Sequence, residues 1–560
     1  MSQEGAVYNE TGVKRLVRKH FGWLVLLLII PALLLSGCGD AKTADGTQDQ
    51  AKTEDQASSK MAKEELVLAI GYEPENGFDP TTGWGRYGSP LFQSTLLARD
   101  HEMNIIYDLA TEYSLEPNGL VWTVKIRDDV KFSDGEPLTA EDVVYTFETA
   151  AQSGSVIDLN NLAKAEIIDS NTVQFSLKQP QSTFLHALCS LGIVPKHAHG
   201  DDYAQHPIGS GPFQLVQWDK GQQIIVEANP YYYGEPSQFK RLTFLFLEED
   251  AAFAAAQAGQ VDIAFVLPTY ANQEVAGMHL VRLTSVDNRG ILFPYVPAGE
   301  QSVDGYPIGN DVTADIAIRK AINIALDREA LVEGVFEGYG TPAYSVCDGL
   351  PWFNTETVFE DGDLDKAQQI LSDAGWKDQD GDGILEKGDL KAQFTLLYLA
   401  NDASRQSLSI AIADMLKPLG IQVDLKGESW DGIAKAMYST PILFGWGSQD
   451  PLELYNLYSS TTVGNGWYNT GYYRNAVVDE YMEKALAATS EEEALQYWKL
   501  AQWDGKTGCS TLGDAPWAWL VNRDHLYLVR DGLEIGEQAI QPHGHGWPVT
   551  ANIAQWHWQE

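Results

Sequence analysis

Trp122 to Phe147 reads WTVKIRDDVKFSDGEPLTAEDVVYTF, and this stretch decides the fold. Trp122, Val124 and Ile126 alternate with Thr123, Lys125 and Arg127, the period-two pattern of a half-buried strand. Val130 and Phe132 keep that parity. Ser133-Asp134-Gly135 supply turn chemistry, with Gly135 free to take a positive φ. Thr139 followed by Asp142 makes a short N-cap box, and Val143, Val144 and Phe147 then recur at helical spacing. The stretch predicts a strand, a turn and a capped helix.

The rest of the composition narrows the class. At about 100–200 residues per domain, 560 residues make two to four domains. A hydrophobic content of 44% supports real cores rather than disorder. A net charge of −40 repels phosphate backbones, which excludes nucleic acid as a partner and argues against charge-driven binding to anionic lipid. Four cysteines are too few for a disulfide framework. After Cys38, the residues Cys189, Cys347 and Cys509 allow one pair and one free thiol, and the pairing stays open. Most of the 16 Trp and 25 Tyr are expected to pack cores, and the remainder are available to line an aromatic pocket.

The N-terminal region carries an address. Lys14, Arg15, Arg18 and Lys19 precede an apolar run from Phe21 to Leu35, interrupted by Gly22 and Pro31. That run falls short of the roughly 20 residues a spanning helix needs, so 1–37 reads as a signal peptide. Residues 38–63 then read as a flexible tether, with no hydrophobic periodicity.

Several segments together carry a resemblance. The 122–147 stretch is similar to the signature run of the extracytoplasmic solute-binding proteins of ABC importers, in the oligopeptide/dipeptide/nickel family, family 5. Asp108–Tyr113 (DLATEY), Ile193–His197 (IVPKH), Pro207–Phe213 (PIGSGPF), Asn229–Tyr233 (NPYYY), Val261–Ala264 (VDIA) and Asp315–Arg328 resemble further segments of that family. Leu35-Ser36-Gly37-Cys38 resembles the lipobox of bacterial lipoproteins, which makes Cys38 the acylated residue. The resemblance implies a large two-lobed α/β binding protein, type II and cluster C, with an extra subdomain in lobe I. Lobe I is expected at 64–295 plus 515–560, its subdomain at about 91–204, and lobe II at 296–514. Two local expectations are a helix over Pro90–Leu97 and a helical pair near 145–165. The glycines of 206–213 are expected to supply positive φ at a hinge-like turn.

The resemblance also implies the cleft residues. Trp84, Arg86 and Tyr87 lie on a loop following the first strand, where Arg86 suits a solute carboxylate. Phe444–Pro451 (FGWGSQDP) matches a cleft segment whose Trp446 packs on the ligand backbone and whose Asp450 pairs its amino terminus. Tyr468 and Asn469 are expected to line the same cleft. Nickel-binding members carry an arginine before the 193–197 segment; here Ala187–Leu191 reads ALCSL, without one.

Two metal candidates come from the residues themselves. Asp378, Asp380 and Asp382 with Asp389 occupy positions 1, 3, 5 and 12 of an EF-hand-like loop, a candidate structural calcium site. His543 and His545 at i, i+2 are a candidate transition-metal pair. No His-Glu-x-x-His, Gly-x-Ser-x-Gly or Walker loop is present, so no enzyme chemistry is expected. The expectation is a lipid-anchored, extracytoplasmic binding protein that captures a peptide-like solute for an ABC permease, with no required cofactor. The alternatives are a nickel or nickel-chelate carrier, with nickel as cargo, and a signalling lipoprotein of the same fold.

Overall fold

The computed structural model describes residues 64–88, 90–153, 157–544 and 546–559. The expected signal peptide, the lipidation site Cys38, the tether and His545 lie outside the described residues.

The 122–147 stretch folds as its pattern predicts. Val121–Ile126 is a strand whose Trp122, Val124 and Ile126 are buried. Gly135 turns the chain at φ 92°. The helix Ala140–Gln152 follows, capped by Thr139, whose N–H donates to the Asp142 carboxylate at 2.9 Å. This strand lies inside an antiparallel sheet in the order Ala110–Leu115, Val121–Ile126, Thr172–Leu177, Leu162–Asp169. Val143 and Phe147 close the sheet's buried face, so alternation on the strand and 3.6-residue spacing on the helix meet in one core.

Two larger sheets form the lobes. A seven-stranded sheet runs in the order Met278–Leu283, His525–Arg530, Ile263–Val266, Glu65–Ala69, Arg241–Leu245, Gln223–Ala228, Phe213–Asp219. A six-stranded sheet runs Gly340–Pro342, Trp517–Arg523, Asn288–Leu292, Ile442–Phe444, Gln393–Leu399, Gln422–Glu428. The molecule is thus a two-lobed α/β protein, with the four-stranded subdomain inserted in the first lobe. Asn288–Leu292 and Trp517–Arg523 both belong to the second sheet. The chain therefore crosses between lobes at 284–287 and again at Asp524, not at the expected 295/296 and 514/515. Both strands are buried along almost their whole length even where they carry Asn288, Arg289, Asn522 and Arg523, so neither crossing shows a local boundary signal.

Other expectations need correction. Pro90–Leu97 is not helical, with Leu91 at φ 63° and Leu97 opening a two-stranded hairpin with Ile105–Tyr107. The second half of the supposed helical pair near 145–165 is the strand Leu162–Asp169. Gly209 and Gly211 do not adopt positive φ. They are needed instead for close approach, because a Cβ on Gly209 would stand 2.0 Å from the Phe92 carbonyl oxygen. That packing fixes the course of the chain at Phe92 and Gln93. Cys189, Cys347 and Cys509 are buried free thiols.

The subdomain also touches the second lobe. Ser182 donates its N–H to the Leu486 carbonyl and its hydroxyl to the Ala485 carbonyl, both at 2.8 Å. These carbonyls end the helix Ala476–Ala487, where the Ala488 N–H also reaches the Ala485 carbonyl at 3.4 Å. Met103, at the hairpin tip, is buried in the apolar cluster of the second lobe.

Gly209→Ala is expected to cost about 1–3 kcal/mol by overpacking against the Phe92 carbonyl. Urea unfolding checks this, and an unchanged midpoint would show that the 91–93 segment yields freely.

Candidate solute-binding site

A cavity of 240 Å³ lies between the lobes. The first lobe and its subdomain contribute Arg86, Arg99, Asp158 and His186; the second contributes Trp446, Asp450, Glu453 and Tyr468. The two walls carry opposite charge in their central residues, arginines facing carboxylates.

On the first wall, Arg86 follows a short 3₁₀ turn, Pro80–Thr82, capped by Asp79. Its guanidinium lies 4.6 Å from the centroid of the Tyr87 ring. Among the described residues no carboxylate forms an ion pair with it. Burial works against its charge, but Tyr87, Tyr468, Glu453 and Asp450 outweigh that, so its pKa is raised and it stays charged. Arg99 ends the strand Leu97–Arg99 and contacts Nδ1 of His186, on the helix Phe184–Ser190. Burial, reinforced by Arg99, holds the His186 pKa well below its usual value, so this imidazole is uncharged.

On the second wall, the strand Ile442–Phe444 ends in Gly445-Trp446-Gly447. Trp446 is fixed by Asn288, which accepts its N–H at 3.0 Å, and its ring stacks on Tyr468 at 5.6 Å. Gly447 lies so close to the crossing that a Cβ would stand 2.2 Å from the Val286 carbonyl. Asp450 accepts the Leu452 N–H through Oδ1 at 2.9 Å, and Oδ2 has no hydrogen-bond partner among the described residues. Burial raises its carboxyl to about 6, against the Leu452 N–H, Arg99 and Arg86. Glu453 takes the Ser448 and Gly447 N–H groups at 2.9 and 3.3 Å, and burial raises it to about 7. Asp450 is therefore the open acceptor, while Glu453 shapes the loop.

Of the residues expected from sequence, Arg86, Trp446, Asp450 and Tyr468 converge on this cavity. Trp84 does not. It is buried in the first lobe's core, donating Nε1–H to the Pro90 carbonyl at 2.6 Å and packing edge-on against Phe78 and Trp547. It edges a second hollow, shared by Tyr87 and Arg86. Asn469 is a turn clamp: it bonds the Ser459 and Tyr473 carbonyls at 2.8 and 2.9 Å and accepts the Tyr473 N–H at 2.9 Å. Its φ of 35° is one that asparagine tolerates. Arg99, His186 and Glu453 were not anticipated. For Glu453 the spacing from Asp450 was available, since position i+3 on a nascent helix shares its face. Arg99 and His186 meet only through tertiary packing and left no signal.

The metal candidates also shift. His543 Nδ1 lies 2.5 Å from Oδ1 of buried Asp287, so that nitrogen is engaged. In the acidic loop, Asp378, Asp380 and Asp382 cluster with Glu386 rather than Asp389. The hairpin Glu386–Lys387 with Leu390–Lys391 starts earlier than an EF-hand would allow, so Glu386 turns inward and Asp389 falls at the hairpin tip.

The match to the model for bacterial extracellular solute-binding proteins, family 5, covers residues 104–468. The chain belongs to that family. It is a solute-binding protein of an ABC importer. It is 33% identical over 494 residues to Protein XP55 of Streptomyces lividans, covering 84% of this chain and 85% of that protein. It is 29% identical over 551 residues to the oligopeptide-binding protein AppA of Bacillus subtilis, covering 92% and 96%. Among solved structures, NikZ of Campylobacter jejuni in complex with Ni(L-His) superposes with a TM-score of 0.73 at 25% identity, covering 88% of this chain and 99% of that one. Among the described residues no helix is long and apolar enough to cross a membrane.

Asn469→Ala removes three hydrogen bonds from a buried turn and is expected to cost about 1–3 kcal/mol. Equilibrium denaturation measures the loss, and a variant as stable as the parent would remove the clamp role.

Proposed function

We propose that this protein captures a small peptide-like zwitterion between its lobes and presents it to a membrane permease. The observation that carries this reading is that one cavity holds the Arg86 guanidinium and Oδ2 of Asp450, neither of which has an ion-pair or hydrogen-bond partner among the described residues. A solute with a carboxylate at one end and an ammonium at the other pairs both, with Arg99 adding a second cation to the carboxylate side. Trp446 and Tyr468 supply flat contact for the solute backbone. Kinship with an oligopeptide-binding protein supports the same class. Acylation at Cys38 would hold the body at the membrane, at about 0.8 kcal/mol per buried CH₂. A Cys38→Ala variant recovered in the soluble fraction supports that anchor, and one still in membranes argues against it.

A second reading is a nickel chelate, as in the NikZ complex, and it draws on Arg99 with His186 in the same cavity. Native mass spectrometry separates the two. The protein is measured as purified, then after partial unfolding and dialysis against di- to pentapeptides, and against nickel with and without histidine. Short peptide adducts support the proposal. A single nickel–histidine adduct overturns it, and so does binding from neither pool.

Asp450→Ala is expected to weaken peptide binding at least about tenfold, the loss of one charged hydrogen bond. A solute ammonium beside Asp450 lowers its pKa, so the bound state holds fewer protons than the empty one and affinity rises with pH. Affinity is expected to be full well above pH 6 and to fall as pH drops through about 6, following the raised carboxyl of Asp450. Calorimetry from pH 5 to 8 tests this, and a flat profile would place the ammonium elsewhere.

A further inference from the structure

We infer that the loop from Asp378 to Glu386, in the second lobe and apart from the solute cavity, binds a hard divalent cation, calcium by its ligand set. Asp378, Asp380, Asp382 and Glu386 each present a carboxylate oxygen, and these four atoms lie within 4.8 Å of one another. Calcium takes oxygen ligands at about 2.3–2.6 Å, so ligands on opposite sides of the ion stand about twice that distance apart.

The three aspartates are exposed and by themselves make a solvated acidic turn. Glu386 is different. It is 7% exposed, held by reciprocal backbone hydrogen bonds with Lys377. Its Oε2 accepts the Gln379 N–H at 2.8 Å. Its Oε1 is fully enclosed and receives no hydrogen bond among the described residues. The nearest cation is the Lys391 ammonium, 3.5 Å away and beyond normal hydrogen-bonding distance. The same ammonium contacts Asp382 at 2.5 Å and Asp380 at 3.3 Å. One positive charge thus serves three carboxylates, with Asp378 clustered beside them, and leaves a buried oxygen without a donor, an arrangement that native structures avoid.

A divalent ion supplies the missing charge and coordinates that oxygen. Asp380 and Asp382 each use Oδ1 for a backbone N–H and turn Oδ2 toward the lysine position. The ligand set is all oxygen, with no imidazole or thiolate, which selects calcium or magnesium over transition metals. Four carboxylates on one loop favour calcium, because magnesium keeps several waters and demands near-ideal octahedral geometry. Lys391, 40% exposed on its flexible stem, swings out as the ion enters. The ion would act on folding. Lys387, next to Glu386, pairs with Asp315 at 2.7 Å, and Asp315 caps the helix Ile316–Ala325 and accepts Trp376 Nε1–H at 3.0 Å.

The test is calorimetric titration of chelator-treated protein with calcium chloride and with magnesium chloride, alongside thermal unfolding. The expected result is one calcium site with Kd on the order of 10⁻⁴–10⁻³ M, the range of extracellular modules. Tm should rise with calcium, and magnesium should bind at least tenfold more weakly. Lys391→Met removes the competing ammonium and should tighten calcium binding at least threefold. Glu386→Gln should weaken it at least tenfold. No calcium-dependent heat or Tm shift in either the parent or Lys391→Met overturns the site, leaving Lys391 as the resident cation. Unchanged affinity in Glu386→Gln overturns it equally. If Glu386→Gln does not fold, the Lys391→Met comparison decides.

Discussion

The carboxylate of Asp287 is the interaction on which the two-lobed arrangement depends. It is fully buried on the first crossing between lobes, accepts a hydrogen bond from Arg289 at 2.6 Å, forms an ion pair with Arg523 at 2.7 Å, and contacts His543. Arg523 stands on the return crossing and His543 on the C-terminal segment, so one anion ties three separate passes of the chain. Burial alone would raise its pKa, but Arg289, His543 and Arg523 hold it well below the usual carboxylate range. A buried ion cluster of this kind is weak evidence of net stability, yet removing one partner strands the others at a cost of about 3–5 kcal/mol. Its structural effect is to pin the two crossings and the C-terminal segment together.

The site inherits its geometry from that pin. The C-terminal segment runs beside the first crossing, with Val286 N–H bonded to the Gln541 carbonyl at 2.8 Å. Two residues later His543 N–H reaches the Gly447 carbonyl at 2.7 Å, on the loop that leads to Asp450. Gln449 Nε2–H bonds the Ile540 carbonyl at 2.8 Å on the same side. The acidic wall of the cavity is therefore positioned by contacts to the first lobe, although its strand belongs to the second sheet. This explains why Gly447 cannot carry a side chain and why the loop can hold two buried carboxyls at raised pKa without collapsing onto the arginines opposite.

What was legible in the sequence follows from the range of each interaction. Strand 121–126, the turn at Gly135 and the Thr139–Asp142 cap were readable because each is decided within a few residues. Arg86, Trp446, Asp450 and Tyr468 came from a resemblance, and the geometry brings all four together. Pro90–Leu97 was misread because the course of its chain at Phe92 and Gln93 is fixed by packing against Gly209 and Gly211, more than a hundred residues later. Trp84 and Asn469 have the residue types of a binding site, but one completes an aromatic core and the other a turn. Nothing local distinguishes these uses. Asp389 was named because position 12 is the usual bidentate position of such a loop, whereas the hairpin that begins at Glu386 turns the acid at position 9 inward instead.

The inserted subdomain makes recognition and closure one problem. Its helix Phe184–Ser190 brings His186 to Arg99 in the cavity, and Ser182, just before that helix, bonds the last carbonyls of the helix Ala476–Ala487 in the other lobe. Arg99 is likewise only a few residues from Met103, which is buried among the second lobe's apolar side chains. A solute too large for the cavity would hold these elements apart, leaving the Ala485 and Leu486 carbonyls and the Met103 side chain to water. Each lost hydrogen bond is worth about 0.5–1.5 kcal/mol, and burial of a methionine about 1.5–3 kcal/mol. Together these terms are comparable to a tenfold or greater difference in affinity at 1.4 kcal/mol per decade. The fit of one lobe against the other thus contributes to the closed arrangement through groups that do not line the cavity.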